Sequence, residues 1–208
     1  MTEAEWLCLY PSLMMHHIKQ VAPASVRKLR FLAVAYARFL ESQPDFADAK
    51  HVSHLGEEVA EGRRTLDELW DDRVRGWGYD GDWSIANLVL AGDEQIEMAF
   101  RKAWWFAEDR GRRAGVGVGD RQPMARSLIL CVLGNPFRPV SFSPAWQTST
   151  AIALAGQMYE SRDFSAMPIL AYALQDAGYD SDDILGHCRG PGPHVRGCWV
   201  VDLVLGKE

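Results

Sequence analysis

No part of this sequence stays apolar for long. Its longest uninterrupted run, Phe31 to Ala37, is seven residues, where a membrane-spanning helix takes about 20. The acidic opening MTEAEW also lacks the basic region that begins a signal peptide. An excess of positive charge is missing too. Lys and Arg number 22 against 28 Asp and Glu, a net charge of −6, which leaves no electrostatic footprint for nucleic acid or an anionic membrane. Cysteine is sparse: Cys8, Cys131, Cys188 and Cys198 are the four in 208 residues, and they make no Cys-x2-Cys knuckle. Their irregular spacing excludes a disulfide framework by pattern and reads as reduced thiols. A cytoplasmic protein is expected, with no nucleic acid and no membrane as partner.

Apolar residues make up 48% of the chain and eight of them are Trp, enough for a sizeable core. Their period is helical almost throughout, so the expected fold class is all-α: a multi-helix globular bundle with an irregular Pro-rich arm and a C-terminal helical cap. Thr2-Glu-Ala-Glu5 and Thr65-Leu-Asp-Glu68 read as capping boxes. Val26, Leu29, Ala33, Tyr36, Ala37 and Leu40 repeat at three and four, marking a buried central helix that ends before Pro44. A further helix is expected over 45–61, and another over 85–110 that Gly92 divides. Residues 1–110 thus form an N-terminal helical part. A Gly-rich connector over 111–120 leads to a C-terminal helical part, 121–208, and the whole is expected to form one globular unit.

In that C-terminal part Pro123 opens a helix through Leu133, and GNPFRPVSFSPAW, with three Pro in nine residues from Pro136 to Pro144, cannot be regular. Helices follow over Thr148–Tyr159, Ser165–Ala177 with Ser165 as N-cap, and Asp182–Cys188 with Ser181 as N-cap. The segment His194–Leu205 is β-branched enough for a strand but is read as helix, since no partner strand is found.

GNPFRPV at 134–140, PAW at 144–146 and the run from Met167 through CRGPGPHVRGCWVVDLVLGKE, with MTEAEWL at the start and RKLRFLAVA at 27–35, resemble a paralogous family of planctomycetes such as Gemmata. The resemblance spans nearly the whole chain and is loosest over 70–120. It implies a mostly helical cytosolic protein in a lineage-expanded family, and it implies no reaction.

Several constellations bear on function. Arg189-Gly-Pro-Gly-Pro-His-Val-Arg196 outlines an anion cradle: Gly190 and Gly192 let amides converge, the prolines stiffen the loop, and Arg189, His194 and Arg196 supply charge beside an expected helix N-terminus. The competing reading is a helix–helix corner whose arginines pair with Asp176, Asp182 or Asp183. His187, Cys188, His194 and Cys198 are four metal-capable side chains in twelve residues, but a Cys-x9-Cys spacing and a His-Cys adjacency give no knuckle. Cys188 and Cys198 therefore read as small buried hydrophobes, and no metal and no cofactor are expected. The same residues suggest a Cys–His pair, but a third catalytic member is missing. His51, His54, Glu57 and Glu58 share one helix face, which reads as solvated. Asp71, Asp72, Asp80 and Asp82 lack the spacing of a calcium loop, and GVGVG at 115–119 follows a helix rather than a strand. Trp104-Trp105-Phe106 must expose at least one ring on an amphipathic helix. The leading expectation is a non-enzymatic interaction or regulatory module whose partner is another protein. The alternative is a small-anion or nucleotide-binding sensor or enzyme using the Arg189–Arg196 loop.

Overall fold

The computed structural model describes residues 1–46, 53–69, 89, 91–92, 94–114 and 121–207. The fold is all-α, and no strand occurs among the described residues. The chain divides into two compact units, Met1–Arg126 and Ser127–Glu208.

The N-terminal unit begins with helix α1, Glu3–Leu7, and its capping box forms as the sequence requires: Thr2 Oγ1 accepts from the Glu5 amide and the Glu5 carboxylate from the Thr2 amide. Helix α2, Pro11–Val21, places its proline in the first turn, where no amide partner is lost. Helix α3, Val26–Glu41, is capped by Ser25 and buries Phe31 through Ala37 and Leu40. The expected helix over 45–61 is instead a 3-10 turn at Pro44–Phe46 and a separate helix α4, Ser53–Ala60. The Glu41 carboxylate starts α4 by accepting from both the amide and the hydroxyl of Ser53. Helices α3 and α4 approach closely at Gly56, where a Cβ would lie 2.7 Å from Val34 Cγ2. Arg38 pairs with the buried Glu57 across the same contact at 2.7 Å. The second capping box, Thr65 to Glu68, is also formed.

Helix α5 runs Ile96–Ala114 and packs against α2 and α3. Gly92 lies before it, outside any helix. The connector expected at 111–120 therefore starts late, since 111–114 continue the helix; 115–120 lie outside the described residues. Helix α6, Arg121–Leu133, holds the boundary between the units. The physical reason is in its first turns. Arg121 is buried with Asp45 and donates to the Ala107 carbonyl, while Arg126 donates to the Leu9 carbonyl, so this end belongs to the N-terminal unit.

In the C-terminal unit α6 stops at Gly134, whose φ of +74° a residue with a side chain reaches only with strain. The Pro-rich arm is irregular as expected, apart from a 3-10 turn at Pro144–Trp146. Phe142, Trp146 and Tyr179 gather their rings, with Trp146 and Tyr179 4.6 Å apart and edge-on. Helix α7, Ser149–Ser161, is capped by Thr148; α8 is Met167–Asp176, α9 Asp182–Arg189 and α10 Trp199–Leu205. Helix α7 packs on α8 and α10, and α9 packs on α8 and α10. Three local expectations change. Ala166 rather than Ser165 holds the N-cap position of α8, and Ser165 instead bonds through both its amide and its hydroxyl to the Asp163 carboxylate. Ser181 caps α9 by position but makes no side-chain bond to it. The last helix begins at Trp199, not near His194, so 194–198 is a bridge between α9 and α10. Gln147 from the arm donates to the carbonyls of Leu203 and Val204 and closes the far end of α10.

Candidate functional site

Within the C-terminal unit four side chains from four separate places converge. Cys131 comes from the last turn of α6, His187 from α9, His194 from the bridge, and Cys198 from the residue preceding α10. One ligand atom from each lies within 4.8 Å of all the others. His187 Nε2 is 3.3 Å from Cys198 Sγ, and the His187 and His194 rings meet edge-on with centroids 4.9 Å apart. Both thiols are buried, Cys198 at 0% exposure. Neither ring nitrogen of His194 has a partner of hydrogen-bond geometry, and both are buried. The Trp199 indole forms one wall, 5.4 Å from the His187 ring, and packs on Gly134, where an added Cβ would lie 3.5 Å from it.

The electrostatics separate the neighbouring thiols. Burial opposes ionisation of Cys198, yet the neighbouring Cys131, His187 and His194 side chains, and the charge on His187, bring its thiol well below the ordinary range. Burial, and then the charge of Cys198, push the Cys188 thiol up instead. Adjacent residues on a helix point about 100° apart. On α9 this sends His187 to the cluster and Cys188 into the core at 0% exposure. The sequence pattern grouped Cys188 with the other three; the fold replaces it with Cys131, which lies on another helix far upstream. No spacing rule could have found Cys131. Its one sequence signal is a thiol in the last turn of a helix, three residues before a glycine turn.

The residues of the outlined anion cradle are dispersed. Arg189 donates to Gln175 Oε1 at 2.7 Å and stacks over Tyr172. Arg196 is 5% exposed, donates from Nε to the Tyr159 carbonyl at 2.8 Å, and lies over the Tyr159 ring. The Gly190 amide donates to the His187 carbonyl. Gly192 holds a φ of +82° beside His194, which belongs to the thiol cluster. Arg196 is not in the first turn of a helix, since α10 starts three residues later. The expected pairing of these arginines with Asp176, Asp182 or Asp183 is not what engages their guanidinium groups in these contacts; Arg138 pairs with Asp183 instead.

The other constellations stay apart or fall elsewhere. Glu57 is engaged by Arg38 and Glu58 by Arg64, and His54 is exposed. His51, the four aspartates at 71, 72, 80 and 82, and GVGVG lie outside the described residues. No protein-family model, curated protein or solved structure matches the chain. Among the described residues no helix is long and apolar enough to cross a membrane.

Chemically, the cluster is two sulfur and two nitrogen donors, the thiols buried and the imidazoles on half-buried side chains. Such a set can hold a borderline metal ion.

Proposed function

We propose that this chain is a non-enzymatic interaction module of the cytoplasm, a member of the planctomycete family its motifs resemble, and that its partner is another protein. The observation that carries this reading is the outer face of α5. Met98 is 56% exposed and Trp105, seven residues on and therefore on the same stripe, is 62% exposed. Phe106 adds an exposed ring, and Arg101, Lys102, Arg112 and Arg113 flank the stripe in solvent. Asp109 pairs with Arg112 and Arg113 and holds the basic end in place. Tyr10, which precedes α2, and Leu13 on it are also exposed, and the Tyr10 ring lies 6.0 Å from that of Trp104, which extends the apolar area beyond one helix. Exposed Trp and Met beside Arg are the side chains that anchor protein interfaces. Their charge suits an acidic partner segment with apolar anchors of its own.

The reading is tested with Met98→Glu/Trp105→Glu in the full chain. The double variant should melt with the wild type, because both side chains face solvent, and should lose the proteins that co-purify with tagged wild type from its native cells. Retention of the same proteins would overturn the reading.

A further inference from the structure

We propose that Cys131, His187, His194 and Cys198 bind one zinc(II) ion as a closed, four-ligand structural site. The proposal is independent of the α5 face, since it concerns the C-terminal unit alone.

Three observations carry it. The first is convergence. Four ligand atoms from α6, α9, the bridge and the start of α10 lie within 4.8 Å of one another. In a tetrahedral site with Zn–S near 2.3 Å and Zn–N near 2.0–2.1 Å, the donors stand about 3.3–3.8 Å apart. Contraction by about 1 Å, within reach of small side-chain rotations, closes the set around an ion. His187 Nε2 and Cys198 Sγ, at 3.3 Å, are already there.

The second is an otherwise unexplained cost. Buried polar groups are ordinarily partnered, and a buried imidazole nitrogen without a partner is destabilising. Both nitrogens of His194 are in that condition, while the ring points into a cluster of ligands. A metal ion would take one of these nitrogens and give the ring a partner.

The third is that each alternative leaves side chains idle. A Cys198–His187 catalytic pair has no use for Cys131 or His194. A Cys131–Cys198 disulfide has no use for either histidine. A zinc ion uses all four and leaves no open position, so the site braces the fold rather than activating water. Two thiolates and two imidazoles in tetrahedral array favour zinc over magnesium or calcium, which prefer oxygen. The brace is well placed: it ties the end of α6 to the end of α9 and the beginning of α10, across the non-helical bridge between the last two.

The test uses the full-length chain purified without chelator. Elemental analysis should find zinc in equimolar amount. Stepwise titration of the wild-type thiols with a mercurial, read with a zinc-sensitive dye, should release that zinc as the cluster thiols react, and this readout does not depend on any variant folding. Cobalt(II) substituted for zinc should show intense tetrahedral ligand-field bands and thiolate-to-metal charge transfer. Cys131→Ser should reduce the charge transfer by about half and weaken zinc binding by more than the roughly 100-fold seen for an outer-shell change. Cys188→Ala, at the neighbouring buried thiol, should leave the cobalt spectrum unaltered. Absence of bound zinc together with failure of the metal-free protein to take up cobalt would overturn the proposal. So would a cobalt spectrum that survives Cys131→Ser but is lost in Cys188→Ala.

Discussion

His187 and Cys198, eleven positions apart in the chain, bring Nε2 and Sγ to 3.3 Å. Between them run Cys188 to Gly197, so this contact closes a loop that secondary structure alone does not. Trp199 covers the closure, with its ring centroid 5.4 Å from that of His187.

Trp199 is expected to be the packing anchor of that corner. Trp199→Ala removes the wall shared by His187 and Gly134 and should cost about 3 kcal/mol in denaturant unfolding. Gly134→Ala adds a Cβ at a φ of +74° and 3.5 Å from the indole; it should cost about 1–2 kcal/mol for the left-handed backbone. Loss of less than half of these amounts in both variants would show that the corner tolerates its own removal.

The two arginines of the RGPGPHVR segment should behave unequally. Arg196→Ala deletes a buried charged donor from the Tyr159 carbonyl and should cost about 1.5–3 kcal/mol. Arg189→Ala removes an exposed bond to Gln175 and should cost no more than about 1 kcal/mol. Equal effects in a thermal melt would contradict the burial difference.

Arg121 and Asp45 form a buried ion pair in the N-terminal unit, with side chains 1% and 3% exposed. Removing one partner strands the other, so Arg121→Met alone should destabilise by about 3–5 kcal/mol. Arg121→Met/Asp45→Leu should recover much of that loss, because no charge is left buried without its mate. A double variant as unstable as the single one would show that the remaining contacts of Arg121 matter more than the pair.

Acid should loosen three turns. Hydrogen bonds from the Thr2, Thr65 and Ser165 backbones hold the carboxyls of Glu5, Glu68 and Asp163 below their ordinary values. A lowered folded-state value means that the unfolded chain binds more protons, so this stability is present above the ordinary carboxylate pKa, about 4, and is lost as pH falls through the folded-state values. Melting curves between neutral pH and pH 3 should slope less steeply in Glu5→Gln/Glu68→Gln/Asp163→Asn than in the wild type. Parallel slopes would refute the assignment.

Much of the helical fold was legible from local chemistry. Thr2 and Thr65 announce their helices because a capping box is complete within four residues, and the Phe31–Ala37 run marks a helix buried on every side. The errors lie where a nonlocal or competing bond decides. Ser165 loses its capping role to a carboxylate two residues earlier, and the final helix starts at Trp199 because the residues before it are drawn into contacts with α7 and α9. The cluster was half legible. His187, His194 and Cys198 stand out by type, but helical rotation, which periodicity carries, turns Cys188 away, and the approach of Cys131 is tertiary and leaves no trace in spacing. The exposed ring expected in Trp104–Phe106 is found in Trp105 and again in Phe106.

The sealing of Cys131 and Cys198 from solvent also sets a clock. An ion held by these two buried thiolates would leave when the 194–198 bridge opens, so removal by a chelator should follow the opening rate of that bridge rather than chelator concentration once the chelator is in excess. Exchange would then steepen with temperature as unfolding rates do, roughly three- to sixfold per 10 °C.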